Sequence, residues 1–332
     1  MSGIDPEIEA RAMELRARER GRGREADSPV RVPGKGWKDI AWRTYEEIGR
    51  DRLSLVAAGV TFYTVLALFP AIGAFVSLYG LVADPATVEG QLASLSGFVP
   101  SALIDTVSAE LQRVSSTESS SLSFAFIGGL LFALWSANKG VQSLFDSMNV
   151  VYEERESRGF FALTALTLAF TTGGIILMIL IVNVMVVLPQ VFSMLGLSGV
   201  GSVVLTVLPM ALAVLLVGGA ISLVYRYGPS RQRARWRWIS VGSVFATLVW
   251  AIASALFTWY LANFANYSAT YGSLGAVIGV MMWIWVSAYV VLIGAELNAE
   301  IEHQTGHDTT TGAPAPLGER GARMADTLGE TS

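Results

Sequence analysis

The chain has no cysteine and only two histidines among its 332 residues. Disulfide bonds, thiolate metal sites and a cysteine nucleophile are therefore excluded. His303 and His307 both lie in a polar C-terminal stretch, which argues against a histidine metal cluster and against a Ser-His-Asp triad. We therefore expect no catalytic residue, no metal and no cofactor, and we predict that the protein is not an enzyme.

Charge is also scarce. Charged residues make up 15% of the chain, hydrophobic residues 52%, and the mean hydropathy is +0.50. Soluble domains usually carry about 25% charged residues. The charge that is present is concentrated toward the ends of the chain and in short connecting segments, which indicates a membrane protein.

Six segments are long and apolar enough to cross the hydrocarbon layer, which takes about 20 residues. We predict an all-α, polytopic membrane protein with six transmembrane helices. The predicted spans cover residues 55–82, 122–147, 160–188, 200–225, 239–264 and 272–296.

Lysine and arginine are distributed unequally between the two sides of these spans. The arm 1–54 holds 12 of the 23, and the segments after the second, fourth and sixth spans hold two, five and two, which makes 21 on one side. The opposite side holds only Arg113, in the 83–121 loop, while Lys139 lies within the second span. Because positive residues favour the cytoplasmic side, we predict that both termini are cytoplasmic and that the protein lies in a bacterial inner membrane.

The segments outside the spans differ in composition. Residues 1–34 are rich in arginine and are predicted to be a disordered cytoplasmic arm, followed by an interfacial amphipathic helix over 35–54. The 55–302 region is the transmembrane domain, and its 83–121 loop has the spacing of an external amphipathic helix. The last segment, 303–332, is rich in Thr, Gly, Ala and Pro and is predicted to be a disordered tail.

A polar stretch, WSANKGVQSLFDSMN, continues the second span from residue 135 to 149. Helical spacing gathers several of its side chains on one face. Lys139 near the hydrocarbon edge is either an interfacial residue that extends to water or part of a polar vestibule open to the cytoplasm, paired with Glu296 or Asp146. The candidate vestibule residues are Asn138, Lys139, Gln142, Asp146, Asn149 and Glu296.

The loop YRYGPSRQRARWRWI, residues 225–239, carries five arginines and no acid. One interpretation is a positive segment that fixes orientation. The other is a ledge that binds lipid headgroups, since a guanidinium binds phosphate through two parallel hydrogen bonds. RNA binding is a weaker alternative, because the segment is short, and we expect no nucleic-acid partner. The candidate ledge residues are Arg226, Arg231, Arg233, Arg235 and Arg237.

Three motifs resemble the YihY/BrkB family of bacterial inner-membrane proteins, formerly labelled ribonuclease BN. They are AAGVTFYTVLALFP (57–70), WSANKGVQSLFDSMNVVYEERESRGF (135–160) and the block from YRYGP to the GAELNAEIE ending (225–302), in which Ile293 replaces a usual leucine. The resemblance covers residues 40–302 and implies six helices with cytoplasmic ends, together with a link to lipid handling in the envelope. It supplies no catalytic residue.

Function remains open between three hypotheses. The first is a transporter or flippase-like protein for an amphiphilic envelope lipid, with membrane lipids as partners. The second is a non-transporting scaffold that recruits envelope proteins, and the third, disfavoured, is the ribonuclease of the old label. The central parts of the spans lack the ionisable residues usual in coupled pumps, which disfavours a proton- or sodium-driven pump of polar solutes. The sequence does not specify the oligomeric state.

Overall fold

The computed structural model describes residues 19–80, 104–105, 108–109, 124–194, 202–263 and 274–332. Within these ranges the chain is helical, and its β-type pairing is limited to an isolated bridge between Ala234 and Thr310. The α-helices are α1 (Gly34–Arg50), α2 (Leu53–Gly80), α3 (Phe124–Val151), α4 (Phe160–Met194), α5 (Ser202–Tyr227), α6 (Trp236–Asn263), α7 (Leu274–His303) and α8 (Arg323–Asp326).

Four of these helices contain stretches long and apolar enough to cross a membrane. The stretches are Phe160–Leu188, Val207–Tyr227, Trp236–Leu261 and Val277–His303. They coincide with the last four predicted spans, and α2 and α3 occupy the positions of the first two. The predicted arm over residues 1–18 and nearly all of the predicted external helix in the 83–121 loop lie outside the described residues.

The six long helices pack side by side in a closed order. α2 packs against α3, α3 against α4, α4 against α5, α5 against α6, α6 against α7, and α7 returns to α2. α3 also contacts α7. The bundle is therefore a ring of helices in which neighbours along the chain are neighbours in space, as short connections favour.

α6 and α7 approach each other closely at their glycines. A Cβ at Gly294 would lie 2.5 Å from the Tyr225 hydroxyl and 2.8 Å from the Gly242 carbonyl oxygen. Asn298 bridges the same two helices: its Oδ1 accepts from the Gly242 N–H at 2.7 Å and its Nδ2 donates to the Ile239 carbonyl at 3.0 Å. Small residues allow such approach between membrane helices, and buried amides strengthen it.

One end of the bundle is covered by the parts of the chain that lie outside the spans. We call this covering layer the cap and define it as residues 19–52, 152–159, 228–235 and 304–332. α1 buries Asp39, Ile40, Arg43 and Thr44 against the end of α7, so the predicted interfacial helix is packed on protein along this face.

The C-terminal segment 304–332 differs from the predicted disordered tail. Gln304, Thr305 and Ala325 are fully buried, and Arg320 is 7% exposed. Its composition resembles that of disordered chains, yet its backbone is held by arginines: Arg320 donates to the carbonyls of residues 306, 307, 315 and 325.

The N-terminal segment from residue 19 onward is packed in the same layer and likewise differs from the predicted disordered arm. Arg24 donates to the carbonyls of Gln304 and Gly329 at 3.2 and 2.5 Å. Asp39 accepts from Arg22 at 2.5 Å and from the Ser332 hydroxyl at 2.7 Å. The two terminal segments therefore lie on the same end of the bundle and in contact with each other.

Candidate functional site

The predicted vestibule residues of α3 face different surroundings. Lys139 is exposed, donates to Gln142 Oε1 at 3.0 Å and lies 5.8 Å from the Trp135 ring centroid. Asp146 is also exposed. Within the described residues Lys139 forms no ion pair with Asp146 or with Glu296, so neither predicted pair is present.

The two asparagines of the predicted set are buried and act as ties between elements. Asn138 Oδ1 accepts from the Thr171 hydroxyl of α4 at 3.4 Å. Asn149 Oδ1 accepts from the Ser230 N–H at 2.7 Å, and its Nδ2 donates to Glu156 at 3.1 Å. Asn138 therefore joins α3 to α4 within the bundle, whereas Asn149 joins α3 to the cap.

Glu156 completes this part of the cap together with Arg158. The Arg158 guanidinium donates to both carboxylate oxygens of Glu156, at 2.7 and 2.6 Å, and to the carbonyls of Tyr227 and Gly228. These hydrogen bonds outweigh burial and lower the pKa of Glu156 to about 2. The pair fixes the 152–159 loop onto the end of α5.

Glu296 lies on α7 beneath the cap. Its side chain is fully buried, and neither carboxylate oxygen has a hydrogen-bond partner within the described part of the chain. The turn between α1 and α2 lies nearby. Burial, followed by the charges of Glu47 and Glu153, raises the pKa of Asp51 in that turn to about 6.

The predicted arginine ledge divides into buried and exposed members. The Arg231 side chain is 2% exposed, and it pairs with the fully buried Glu302 at 2.6 Å. Its guanidinium lies 4.5 Å from the Tyr152 ring centroid, and the second oxygen of Glu302 accepts from Thr309 at 2.8 Å. Arg235 donates to the Thr310 carbonyl at 2.8 Å. These two arginines hold the C-terminal segment and do not face a lipid.

Of the other three arginines of the ledge, Arg226 and Arg233 lie beside aromatic rings. Arg226 lies 4.5 Å from the Trp236 ring centroid, and Arg233 lies 4.8 Å from that of Tyr227. Trp236 is 50% exposed, and Arg233 and Arg237 are exposed. Trp and Tyr are enriched at membrane–water interfaces.

Sequence reasoning missed the ion pairs that hold the cap. Arg43 of α1 pairs with Glu300 and donates to Gln304 Oε1 at 2.7 Å, and all three side chains are buried. Hydrogen bonds from Arg22 and Ser332 to Asp39 outweigh burial and hold the pKa of that carboxyl below its ordinary value. One feature of the sequence could have indicated these pairs: the apolar helix α7 ends with Glu296, Glu300 and Glu302, and the N-terminal arm is rich in arginines that could pair with them.

A shallow polar cleft opens on the cap surface. It is lined by Glu153, Glu154, Arg155, Ser157, Ser230, Gly321 and Arg323. Arg323 pairs with Glu153 at 2.6 Å, and the hydroxyls of Ser157 and Ser230 lie 2.9 Å apart. The described residues contain no group of three or more His, Asp or Glu spaced to hold a metal ion.

Comparison with known proteins places this helical ring and its cap in a family. The family model described as virulence factor BrkB matches residues 44–317. The chain belongs to the BrkB family. The match continues past α7 into the C-terminal segment, in agreement with the packing of that segment in the cap. No solved structure matches the chain.

Two curated relatives align over most of their own length. A protein of Bacillus subtilis named ribonuclease-like protein YfkH is 30% identical over 73% of this chain and 88% of the relative. A UPF0761 membrane protein of Haemophilus influenzae is 22% identical over 79% of this chain and 94% of the relative. The protein is therefore an integral membrane protein of the BrkB/UPF0761 family.

Proposed function

We propose that the protein is a six-span inner-membrane protein with both termini in the cytoplasm, and that it moves an amphiphilic envelope lipid between the two leaflets. The proposal combines three features: the side of the membrane on which the cap lies, the loose packing of two helices, and an aromatic and arginine surface at their ends.

The topology is supported by the contact between the two terminal segments. Because both segments pack in one cap, an even number of crossings must separate them, and six long helices supply that number. The cap also contains the loops after α3 and α5, so 16 lysines and arginines of the described residues lie in it, and Arg226 and Arg237 lie at the adjoining helix ends. The positive residues favour the cytoplasm as the location of that end.

The observation that carries the lipid proposal is the sparse burial of α4 and α5. In their most apolar stretches only 11% and 17% of the residues are buried, against 28% in α6 and 33% in α7. Van der Waals packing is the main force that holds membrane helices together. Among the four helices compared, we therefore expect α4 and α5 to separate from the ring at the lowest cost and to admit a lipid from the side.

A path for a lipid headgroup also needs polar groups without fixed charge along the bundle. The buried hydroxyls of Thr167 and Thr171 and the amide of Asn138 lie together at the contact between α3 and α4. Thr171 uses its hydroxyl both toward Asn138 and toward the Thr167 carbonyl, at 3.4 and 2.9 Å. We propose that this polar seam contacts the headgroup during its passage.

At the cytoplasmic end, Arg233, Arg237 and Trp236 form the exposed remainder of the predicted ledge. We propose that they bind the lipid phosphate while the tryptophan ring lies among the acyl chains. Arg231 and Arg235 take no part, because their side chains are committed to Glu302 and to the Thr310 carbonyl.

The scaffold hypothesis depends on free cytoplasmic arms, and residues 19–33 and 304–332 are instead packed in the cap. We therefore favour lipids over envelope proteins as partners. We further propose that the protein is not a nuclease, a point that incubation of the purified protein with tRNA and Mg²⁺ tests through the appearance of cleaved ends.

Reconstitution into liposomes tests the lipid proposal. A fluorescent phospholipid is quenched by a membrane-impermeant reagent, and the fraction that reaches the outer leaflet is followed with time. We expect the protein to raise this rate, and we expect Asn138→Leu to lower it. The matched control is Thr258→Val, because the Thr258 hydroxyl bonds only within its own helix, to Ser254 at 2.9 Å. Unchanged lipid movement over a panel of phospholipids and lipid-linked sugars would refute the proposal.

A further inference from the structure

The carboxyl of Glu296 is the most unusual polar group in the described structure. It is fully buried, and both oxygens lack a hydrogen-bond partner within the described residues. A buried carboxylate without a compensating partner is strongly unfavourable. The neighbouring glutamates of α7 are instead satisfied, Glu300 by Arg43 and Glu302 by Arg231.

The charged groups that act most strongly on Glu296 are acids. α1 runs antiparallel along the end of α7, so that Arg43 reaches Glu300 while Glu47 and Asp51 come within electrostatic range of Glu296. Glu153, after the end of α3, and Glu300, one turn further along α7, act on it as well.

Three of the nearby cations are paired with other acids, whereas Arg52, in the turn beside Asp51, is exposed and forms no ion pair among the described residues. Arg43 is paired with Glu300, Arg50 with Glu47 and Arg323 with Glu153. The neighbourhood of Glu296 therefore keeps an excess of negative charge.

A second buried oxygen lies in the same neighbourhood. The Tyr152 hydroxyl is fully buried, within electrostatic range of Glu296 and beside Asn298, and it has no hydrogen bond of proper geometry in the described chain. Asn298 commits its oxygen to Gly242 and one of its two amide hydrogens to Ile239, so at most one hydrogen of Asn298 is directed at the Tyr152 oxygen. The Tyr152 oxygen therefore retains at least one lone pair for another partner.

We propose that Glu296 is the ligand of a small monovalent cation, a proton or Na⁺, with the Tyr152 hydroxyl as the second protein oxygen of the site. Oxygen atoms and excess negative charge select a hard cation. A divalent ion such as Ca²⁺ takes several carboxylate and carbonyl oxygens at once, and no group of three acids with that spacing occurs among the described residues. A singly charged occupant matches a site with one carboxylate.

The site lies where α7 enters the cap, between the transmembrane part of the helix and the cytoplasmic layer. An occupant there changes the charge between α1, α7 and the end of α3, and so provides a means to couple an ion to movement of the bundle. Ionisable groups inside membrane domains are commonly used in this way. Occupation of the site does not depend on lipid movement, so the two proposals fail separately.

The test compares thermal unfolding of the detergent-solubilised full chain in NaCl and in choline chloride at equal ionic strength. The variants are Glu296→Gln and, as a control, Glu319→Gln, whose exposed carboxyl lies in the cap. If Na⁺ is the occupant, it raises the unfolding midpoint of the wild type and of Glu319→Gln with saturation, and it has no effect on Glu296→Gln.

If the proton is the occupant, Na⁺ has no effect and the infrared spectrum at neutral pH contains the C=O band of a protonated carboxylic acid. That band is absent in Glu296→Gln and present in Glu319→Gln. Should Glu296→Gln fail to fold, the comparison is made with Tyr152→Phe, which removes the second oxygen and is expected to weaken the Na⁺ effect or to shift the carboxylic acid band.

The proposal is overturned if the wild type shows neither a Na⁺-specific midpoint shift nor a protonated carboxylic acid band. It is equally overturned if either signal persists in Glu296→Gln, or, where that variant does not fold, if Tyr152→Phe leaves the signal unchanged.

Discussion

Replacement of Arg231 by methionine tests how the cap is held. The variant removes the partner of Glu302, whose side chain is fully buried. Removing one member of a buried ion pair costs about 3–5 kcal/mol, because the other charge remains buried without compensation. The Thr309 hydroxyl, 2.8 Å from Glu302, supplies only part of that compensation.

The loss acts first on the C-terminal segment, which Glu302 and Arg231 hold through Thr309 and the 228–235 loop. When opening is fast relative to cleavage, the rate of proteolysis follows the equilibrium population of the open form. A loss of about 3 kcal/mol corresponds to roughly 100-fold faster cleavage. Limited proteolysis of the detergent-solubilised protein, with fragments identified by mass, measures cleavage within residues 304–332.

Two further variants decide how the result is interpreted. Arg237→Met removes the same charge from an exposed position and is expected to leave the cleavage rate unchanged. The double variant Arg231→Met with Glu302→Met replaces the pair by apolar side chains and should recover most of the stability. Equal cleavage of Arg231→Met and the wild type would show that the pair does not hold the segment, and the account of the cap would be wrong.

Three other predictions concern packing, charge and topology. Gly294→Ala should reduce the free energy of unfolding by about 1–3 kcal/mol and lower the thermal midpoint, because the added Cβ would lie 2.5 Å from the Tyr225 hydroxyl. Gly173→Ala should leave the midpoint unchanged, because a Cβ there would meet no atom within 4 Å. Asp51→Asn should raise the unfolding midpoint above pH 6 and have no effect near pH 4. The pKa of Asp51 is raised from 3.8 to about 6 in the folded protein, so the wild type loses stability as the pH rises between these two values. An equal effect of the substitution at both pH values would contradict this. In the cysteine-free chain, Glu319→Cys should react with an impermeant thiol reagent only from the cytoplasmic side and Ser268→Cys only from the opposite side, and labelling of both from one side would refute the six-span arrangement.

The helices of the bundle could be predicted from the sequence because lipid imposes a simple rule on length and polarity. The apolar runs that precede Tyr227 and follow Trp236 satisfy that rule by their own length and composition, whatever helices they pack against. Both positions coincide with ends of helices in the structure.

The cap could not be predicted in the same way, since its stability depends on pairs between distant residues. Arg43 and Glu300 are 257 positions apart, and Asp39 and Ser332 are 293 apart. Composition gave residues 304–332 the character of a disordered chain. Some of the arginines that donate to the backbone carbonyls of residues 304–332 lie in the N-terminal segment. No local periodicity in the sequence indicates hydrogen bonds between segments so far apart.

Helical spacing indicates which side chains of α3 share a face, and it does not indicate what they contact. Spacing along α3 correctly placed Lys139 beside Gln142, and it gave no means to see that Asn149 turns to Ser230 in the cap. Glu296 was assigned to the same vestibule as Lys139 because both lie near the same end of their helices. Depth along a helix does not determine the direction in which a side chain points, and Glu296 faces α1.

The most direct test of the central claim is the rate at which a labelled phospholipid crosses liposomes that contain the purified protein. The account predicts a rate that rises with the amount of protein and falls in Asn138→Leu while Thr258→Val remains unchanged. A rate equal to that of protein-free liposomes, with a folded protein and across phospholipids and lipid-linked sugars, would contradict it.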